Sequence, residues 1–415
     1  MWGSARDQRL IDYLEKQYDS LSDVEKVRGL HVHPGIELRD KDSAEPVEHV
    51  AELEGKKVLV VERLRGRGRL FAFPAEAFDL IDKNQSYVRR SRAEVPLKVC
   101  RPPHIVLDAA RRYAVFSDEF IAVPPRQIGI AGEKSQAPFL KALSLFLSSK
   151  LVTYHQFLHS PQWGVQGGRA TLQTLKQLPI PLDGLVEREL SRWLELYDAL
   201  VGAWPTDRKK RFDPTLSLFD DGNQDLSKES EVGDTEADAL YVRLNELVYE
   251  CVGIDKNDRY LIDDLVDVKM QLIDGKVSKD ALRGPTKSEI EAYAAVLQRE
   301  LDDFLGEDNG LRHLCTVVHD QVSGMVQIEL VEATSTKLKP TVFPANAPTA
   351  QEFAKAREEL RREYGQWLYF DRNLRVYKGN RTFVLKPFQR LHWLCSQALI
   401  DADEIIAETI AATGD

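Results

Sequence analysis

Residues 138–182, PFLKALSLFLSSKLVTYHQFLHSPQWGVQGGRATLQTLKQLPIPL, constrain this chain more than any other stretch. About 20 residues at its start carry only Lys141 and Lys150 as charges, and a helix apolar on nearly every face is normally buried. Ser160 and Pro161 then make a turn into a polar, glycine-bearing run that includes Trp163, Gly164, Gln166, Gly167, Gly168 and Arg169. Thr171 is placed to cap a short amphipathic helix over 172–178. Pro179 and Pro181 force an extended exit, because each fixes φ and restricts the residue before it. The pattern predicts a buried helix holding up an exposed loop, with a second short element bringing the chain back out.

A chain of 415 residues, 43% apolar and 8% aromatic, is long enough for two or three globular domains. No apolar run is long and clean enough to span a bilayer. The first residues are polar and charged, without the pattern of a secretory signal, and a cytoplasmic protein is expected. Cys100, Cys251, Cys315 and Cys395 stand apart with no CxxC pair, which fits reduced structural thiols rather than a zinc cluster or a disulfide framework. The net charge of −10 is unevenly spread: residues 56–112 hold 14 Lys and Arg against 6 Asp and Glu, a local balance of +8, leaving −18 elsewhere. Phosphate binding responds to local potential within a Debye length, so one basic face on an acidic body remains compatible with nucleic acid.

Two clusters build that basic stretch. Arg65, Arg67 and Arg69 alternate with Gly66 and Gly68 in a turn between strand candidates, and Arg89, Arg90 and Arg92 precede Lys98 and Arg101. Glycine lets backbone approach a phosphate, and an arginine fork binds phosphate or guanine edges through two donors. The same Arg/Gly run would also serve as a solvated loop. Tyr87 and Tyr113 lie near as stacking candidates. The remaining chain reads as an amphipathic helix over 1–27, short strands through 29–123, a helix over 185–201, an acidic linker over 206–235 and a helix pair over 236–252 and 258–273. A helix over 286–305 follows, whose Thr286 and Glu289 have capping-box spacing. Residues 314–331 alternate as a hairpin around Ser323 and Gly324. A charged helix over 349–364, a strand pair around Lys378, Gly379 and Asn380, and a closing helix over 387–411 complete the pattern.

The order of helix, variable loop, short helix and LPIPL resembles the end of the target-recognition domain in bacterial restriction–modification proteins, both type I specificity subunits and the C-terminal halves of adenine-N6 DNA methyltransferases. The opening WGSARDQRLIDYLEK and the segment LNELVYECVGIDKNDRYLIDD resemble the same proteins, so the likeness spans roughly residues 1–273. It implies a polypeptide that begins where the catalytic part of such enzymes ends. The implied fold is α+β: an N-terminal mixed α/β target-recognition domain over 1–183, a helical spacer and docking region over 184–306, and a small C-terminal α+β domain over 307–415. The implied function is DNA sequence recognition for a restriction–modification or phage-defence system. Double-stranded DNA and a separate adenine-N6 methyltransferase chain, which binds the adenosylmethionine, would be the partners, with other defence proteins beside them. Arg65, Arg67, Arg69, Arg89, Arg90, Arg92, Lys98 and Arg101 would set phosphate contacts and register. The loop of Trp163, Gln166, Gly167, Gly168 and Arg169 would address base edges, where Gln suits adenine and Arg suits guanine.

Catalytic chemistry is not legible. Neither the F-x-G-x-G loop that admits adenosylmethionine nor the N-P-P-Y loop that holds a flipped base occurs. Pro102 and Pro103 follow Arg101 and precede His104, which removes the polar and aromatic side chains such a loop needs. No GxxxxGK[ST] loop supports ATP-driven translocation. His155 and His159 share i,i+4 spacing, but no glutamate in HExxH register lies between them, so no metal and no cofactor is expected. Two rivals stand beside recognition: a nucleic-acid-cleaving effector that uses acids such as Glu329 and Glu332 or Asp264 and Asp267, and an assembly module that never touches DNA.

Overall fold

A computed structural model describes residues 3–64, 69–89, 94–108, 112–160, 171–203, 235–272, 279–306, 310–321, 323–333, 338–344, 358 and 374–413. The fold is α+β, and the chain divides into two compact units, Met1–Asp255 and Lys256–Asp415. The expected acidic linker over 206–235 and charged helix over 349–364 lie almost wholly outside the described residues. Among the described residues no helix is long and apolar enough to cross a membrane.

The first unit opens with two helices where one amphipathic helix was expected. Helix α1 (Ala5–Gln17) starts at Ser4, whose side chain exchanges capping-box bonds with Asp7, and buries Leu10, Ile11 and Leu14. It stops at Tyr18, and α2 (Leu21–Arg28) restarts behind the cap Ser20, ending at Gly29 in the left-handed conformation. The break has a cause elsewhere in the sequence. The Leu21 amide donates to Leu178 O and the Ile180 amide to Asp19 O, both at 2.8 Å, so LPIPL pairs with the α1–α2 junction as a short ladder.

Strands then accumulate as β1 (His31–Pro34), β2 (Leu38–Arg39), β3 (Val47–His49), β4 (Lys57–Leu59), β5 (Phe78–Leu80) and β6 (Tyr87–Arg89). The short helix α3 (Glu94–Lys98) follows. After it come β7 (His104–Asp108), β8 (Ala114–Ser117), β9 (Ile121–Ala122) and β10 (Gln127–Ala131). The main sheet is antiparallel in the order β1-β10-β7-β8, and β7 and β10 are buried at every residue. Two three-stranded sheets, β2-β6-β3 and β5-β4-β9, share a second core that includes Leu59, Leu64, Leu70, Val106, Tyr113 and Val115.

The apolar stretch becomes α4 (Ala137–Leu147) and α5 (Lys150–His159), again two helices where one was expected. Ser149 adopts an extended conformation and caps α5 through the Val152 amide, while the Lys150 amide donates to Asn245 Oδ1 at 2.9 Å. A side chain from 95 residues away thus takes the backbone donor that a continuous helix would have used. Helix α6 (Leu172–Lys176), α7 (Glu187–Ala203) and α8 (Thr235–Val252) complete the unit. Trp193, Leu196, Tyr197 and Leu200 form the buried face of α7, which packs across α4.

The second unit contains α9 (Lys256–Asp267), α10 (Lys279–Leu282) and α11 (Lys287–Leu305), which carries the expected Thr286–Glu289 capping box. The expected hairpin forms from β11 (Leu311–His319) and β12 (Ser323–Glu332), in register from Leu311 opposite Glu332 to His319 opposite Gly324. With β13 (Thr341–Pro344), β14 (Leu374–Lys378) and β15 (Arg381–Pro387) they make a sheet in the order β13-β11-β12-β15-β14. Helix α12 (Cys395–Thr413) packs beside α11. A Cβ at Gly324 would stand 2.3 Å from the Trp393 ring, so only glycine lets that indole lie on the strand. The helices expected as a spacer are shared out: α7 and α8 belong to the first unit, while α9, α10 and α11 fold with the five-stranded sheet.

Lys386 and Asp401 are both fully buried in this second unit, 2.5 Å apart, and Tyr293 donates to the same carboxylate oxygen. Removing one partner leaves an uncompensated charge away from water. Asp401→Ala is expected to destabilise the unit by about 3–5 kcal/mol, read as a lowered denaturant midpoint. The apolar pair Lys386→Met with Asp401→Leu is expected to recover most of that loss.

Glu289 gives the unit an acid-sensitive joint. Burial raises its carboxyl, but bonds from Arg283 and the Thr286 amide, with the charges of Arg283 and Arg390, outweigh burial and bring it to about 2. A depressed folded pKa contributes stability above the unfolded value of about 4.3 that is lost as pH falls toward the folded one. The melting temperature is expected to fall between pH 4.5 and 2, and Glu289→Gln to remove that part of the decline.

Candidate nucleic-acid interface

The residues on either side of the expected base-reading segment are fixed points of the fold. Upstream, α4 and α5 form a buried support in which Tyr154 is completely covered and donates to Asp7 Oδ1 at 2.6 Å. Ser160, buried, ends α5. Downstream, Thr171 caps α6 by accepting the Thr174 amide at 3.0 Å. The buried Gln156 amide donates to Thr174 O at 3.0 Å and so joins α5 to α6, and Lys176 pairs with Glu25 of α2 at 2.8 Å. Trp163, Gln166, Gly167, Gly168 and Arg169 themselves lie outside the described residues, as do Arg65, Arg67, Arg90 and Arg92.

The described basic candidates are largely engaged with the protein. Arg69 donates through Nη1 to Ser148 O, at the break between α4 and α5, and its guanidinium lies 4.6 Å from the centre of the Tyr241 ring. Arg101 makes a two-pronged bond to Glu52, at 2.7 and 2.6 Å, which holds the Glu52 carboxyl below its ordinary range. Arg89, at the end of β6, is exposed and stands 3.8 Å from Glu45. Lys98 is half-buried at the end of α3. The same pattern holds for cations not singled out in the sequence: Arg63 pairs with Asp79, Arg112 with Asp108, and Lys57 with Glu119. Part of the +8 excess over residues 56–112 is therefore met by acids from outside that stretch, Glu45, Glu52 and Glu119.

The two tyrosines differ in exposure. Tyr113 is 2% exposed and meets Phe73 edge-on at 5.3 Å, and Tyr87 is half-buried, with its ring centroid 5.1 Å from that of His49. His104 sits buried in β7 with Nδ1 2.7 Å from Val99 O, away from any role in a base pocket.

A cleft of about 870 Å³ opens where α1, α2, α5 and α6 meet, and Glu15, Asp19, Asp23, His159, Gln173 and Lys176 are among its lining residues. Its wall carries more acids than bases, which suits a cation better than a phosphate. At one edge, Glu15, His155 and His159 bring one ligand-type atom each to within 4.8 Å of one another. Sequence reasoning registered the His155–His159 spacing but missed Glu15, which enters from α1, 140 residues away, and no local pattern signals that meeting. Two of the nuclease candidates are occupied otherwise: Glu329 pairs with Arg381 at 3.1 Å, and half-buried Asp264 accepts the Ser396 amide at 2.7 Å.

No protein-family model matches this chain, and no curated protein matches its sequence.

The engagement of Arg69 with Ser148 and Tyr241 makes it a brace of the first unit. Arg69→Ala is expected to lower the stability of the chain by about 1–2 kcal/mol, through the lost carbonyl bond and ring contact, as measured by chemical denaturation.

Proposed function

We propose that this chain is the DNA sequence-recognition component of a restriction–modification or phage-defence adenine-N6 methyltransferase system, working with a separate catalytic chain that binds adenosylmethionine. The observation that carries the reading is the construction of the root around residues 160 and 171. A dry two-helix support and a backbone-paired LPIPL exit hold both ends of a segment rich in glycine and ending in arginine. Such a root fixes where a loop starts and returns while leaving its sequence free to vary, which is what base readout by exchangeable loops requires. In this scheme Arg65, Arg67, Arg90, Arg92 and Lys98 meet phosphates, and Gln166 and Arg169 address adenine and guanine edges. Arg69 and Arg101, being held by the protein itself, serve mainly to shape the neighbouring backbone.

The local neutralisation of Arg63, Arg101 and Arg112 favours a second reading, an assembly module that bridges defence proteins without touching DNA. Fluorescence anisotropy on a labelled random-sequence duplex separates the two. Recognition predicts binding that weakens steeply as salt rises and selection of a consensus from the random pool. Arg67→Ala is expected to weaken all duplexes alike, and Arg169→Ala to relax preference at one position by about 1–3 kcal/mol. Absence of binding at low salt would leave the assembly module in its place.

A further inference from the structure

The trio at the root of the loop has a geometry that hydrogen bonding alone does not account for. His155 is 1% exposed, and its Nε2 has no hydrogen-bond partner among the described residues; the nearest carboxylate oxygen, Glu15 Oε1, is 3.9 Å away. A buried polar nitrogen left without a partner is unfavourable, so the arrangement calls for a ligand. His159, one turn later, is 23% exposed, and its Nε2 lies 2.8 Å from the same Glu15 oxygen. Three donors around a tetrahedral ion at about 2.1 Å stand about 3.4 Å from each other, a spacing that the observed 2.8 and 3.9 Å bracket.

We propose that Glu15, His155 and His159 form a binding site for one divalent transition-metal ion, Zn²⁺ by the nature of its donors, with a further coordination position open to the neighbouring cleft. The donor set of two imidazoles and one carboxylate suits zinc and excludes the all-oxygen shells of calcium and magnesium. Secondary contacts orient the rings. His159 Nδ1 donates to His155 O at 3.2 Å, which leaves Nε2 for the ion. At His155, coordination through Nε2 moves the ring proton to Nδ1, and gives up only a long 3.4 Å contact from Gln156.

The two rings stack at 4.2 Å, within 8° of parallel, and the proposed ion takes the place of the proton between His159 and Glu15. His159 has the exposure to tilt out of the stack and bring its lone pair to bear. The bound ion cross-links the last turn of α1 to the last turn of α5, immediately before residue 160. It is independent of whether the chain binds DNA.

The test is calorimetric titration of ZnCl₂ into the chelator-treated, dialysed full chain, with melting temperature as a second readout. The expected result is one ion per chain at micromolar affinity or better and a rise in melting temperature with zinc. Glu15→Gln and His159→Ala, both at partly exposed positions, are expected to weaken binding by at least about tenfold and to cancel the rise, with unchanged circular dichroism. His155→Phe, which keeps a ring in the buried slot, is expected to do the same. Co²⁺ in place of Zn²⁺ should give visible d–d absorption without the sulfur-to-metal charge-transfer band that a cysteine site would show. Failure of the chain to bind zinc below millimolar concentration overturns the proposal, and so does binding by Glu15→Gln and His159→Ala that matches the unaltered chain.

Discussion

The first unit depends on a very short piece of backbone pairing. Residues 19–21 and 178–180 exchange two hydrogen bonds of 2.8 Å, and through them the end of the α4–α5–α6 segment is strapped to the junction of α1 and α2. The prolines on either side of Ile180 make the pairing specific, since Pro179 and Pro181 have no amide to donate and hold the chain extended around the one amide that does. Ser20 answers from the other side by ending one helix and capping the next, so its own backbone is extended at the point of contact. Helix α5 meets the other end of α1 through Tyr154, whose hydroxyl donates to the capping carboxylate Asp7. Cap and strap thus hold α1 at its two ends, and the cleft and the Glu15–His155–His159 trio lie along the helix between them.

What was legible in the sequence was local. The Thr286–Glu289 capping box, the hairpin about Ser323, the amphipathic face of α7 and the Thr171 cap each depend on residues within a few positions of one another, and each stands in the structure. The two helix breaks were not legible, because their causes are distant: Asn245 takes the Lys150 amide, and Leu178 takes the Leu21 amide. Serine at both breaks was the available sign, since Ser20 and Ser149 are good caps, but serine in a helix pattern is equally common without a break. The division into two compact units at Asp255 was not legible either, for a related reason. Helix periodicity shows that a face is apolar without showing which core will cover it, so α7, α8, α9 and α11 looked like one spacer although they divide between two units.

The candidate interface was legible as composition more than as geometry. Counting charges over residues 56–112 finds the excess of bases but cannot see Glu45, Glu52 or Glu119 folding back onto them. Tyr113 shows the same limit from the other side. Beside arginines in the sequence it reads as a stacking surface, whereas its place just before β8 puts the ring in the core against Phe73.

Local ion pairing bears on how strongly such a surface could hold a phosphate. An exposed pair contributes only about 0–1 kcal/mol in water, so exchanging a carboxylate for a phosphate at Arg101 costs little in the bond itself. The displaced carboxylate stays nearby, however. Glu52 would then stand within a Debye length of the phosphate and repel it, cancelling much of what the arginine provides. An arginine with an acid already attached therefore contributes less to a salt-dependent interface than one without, and its rigid two-pronged geometry is better suited to placing backbone than to neutralising a polyanion. On the proposed reading, affinity for a duplex rests on cations that have no acid beside them, and the paired ones define the shape of the ground on which those cations stand.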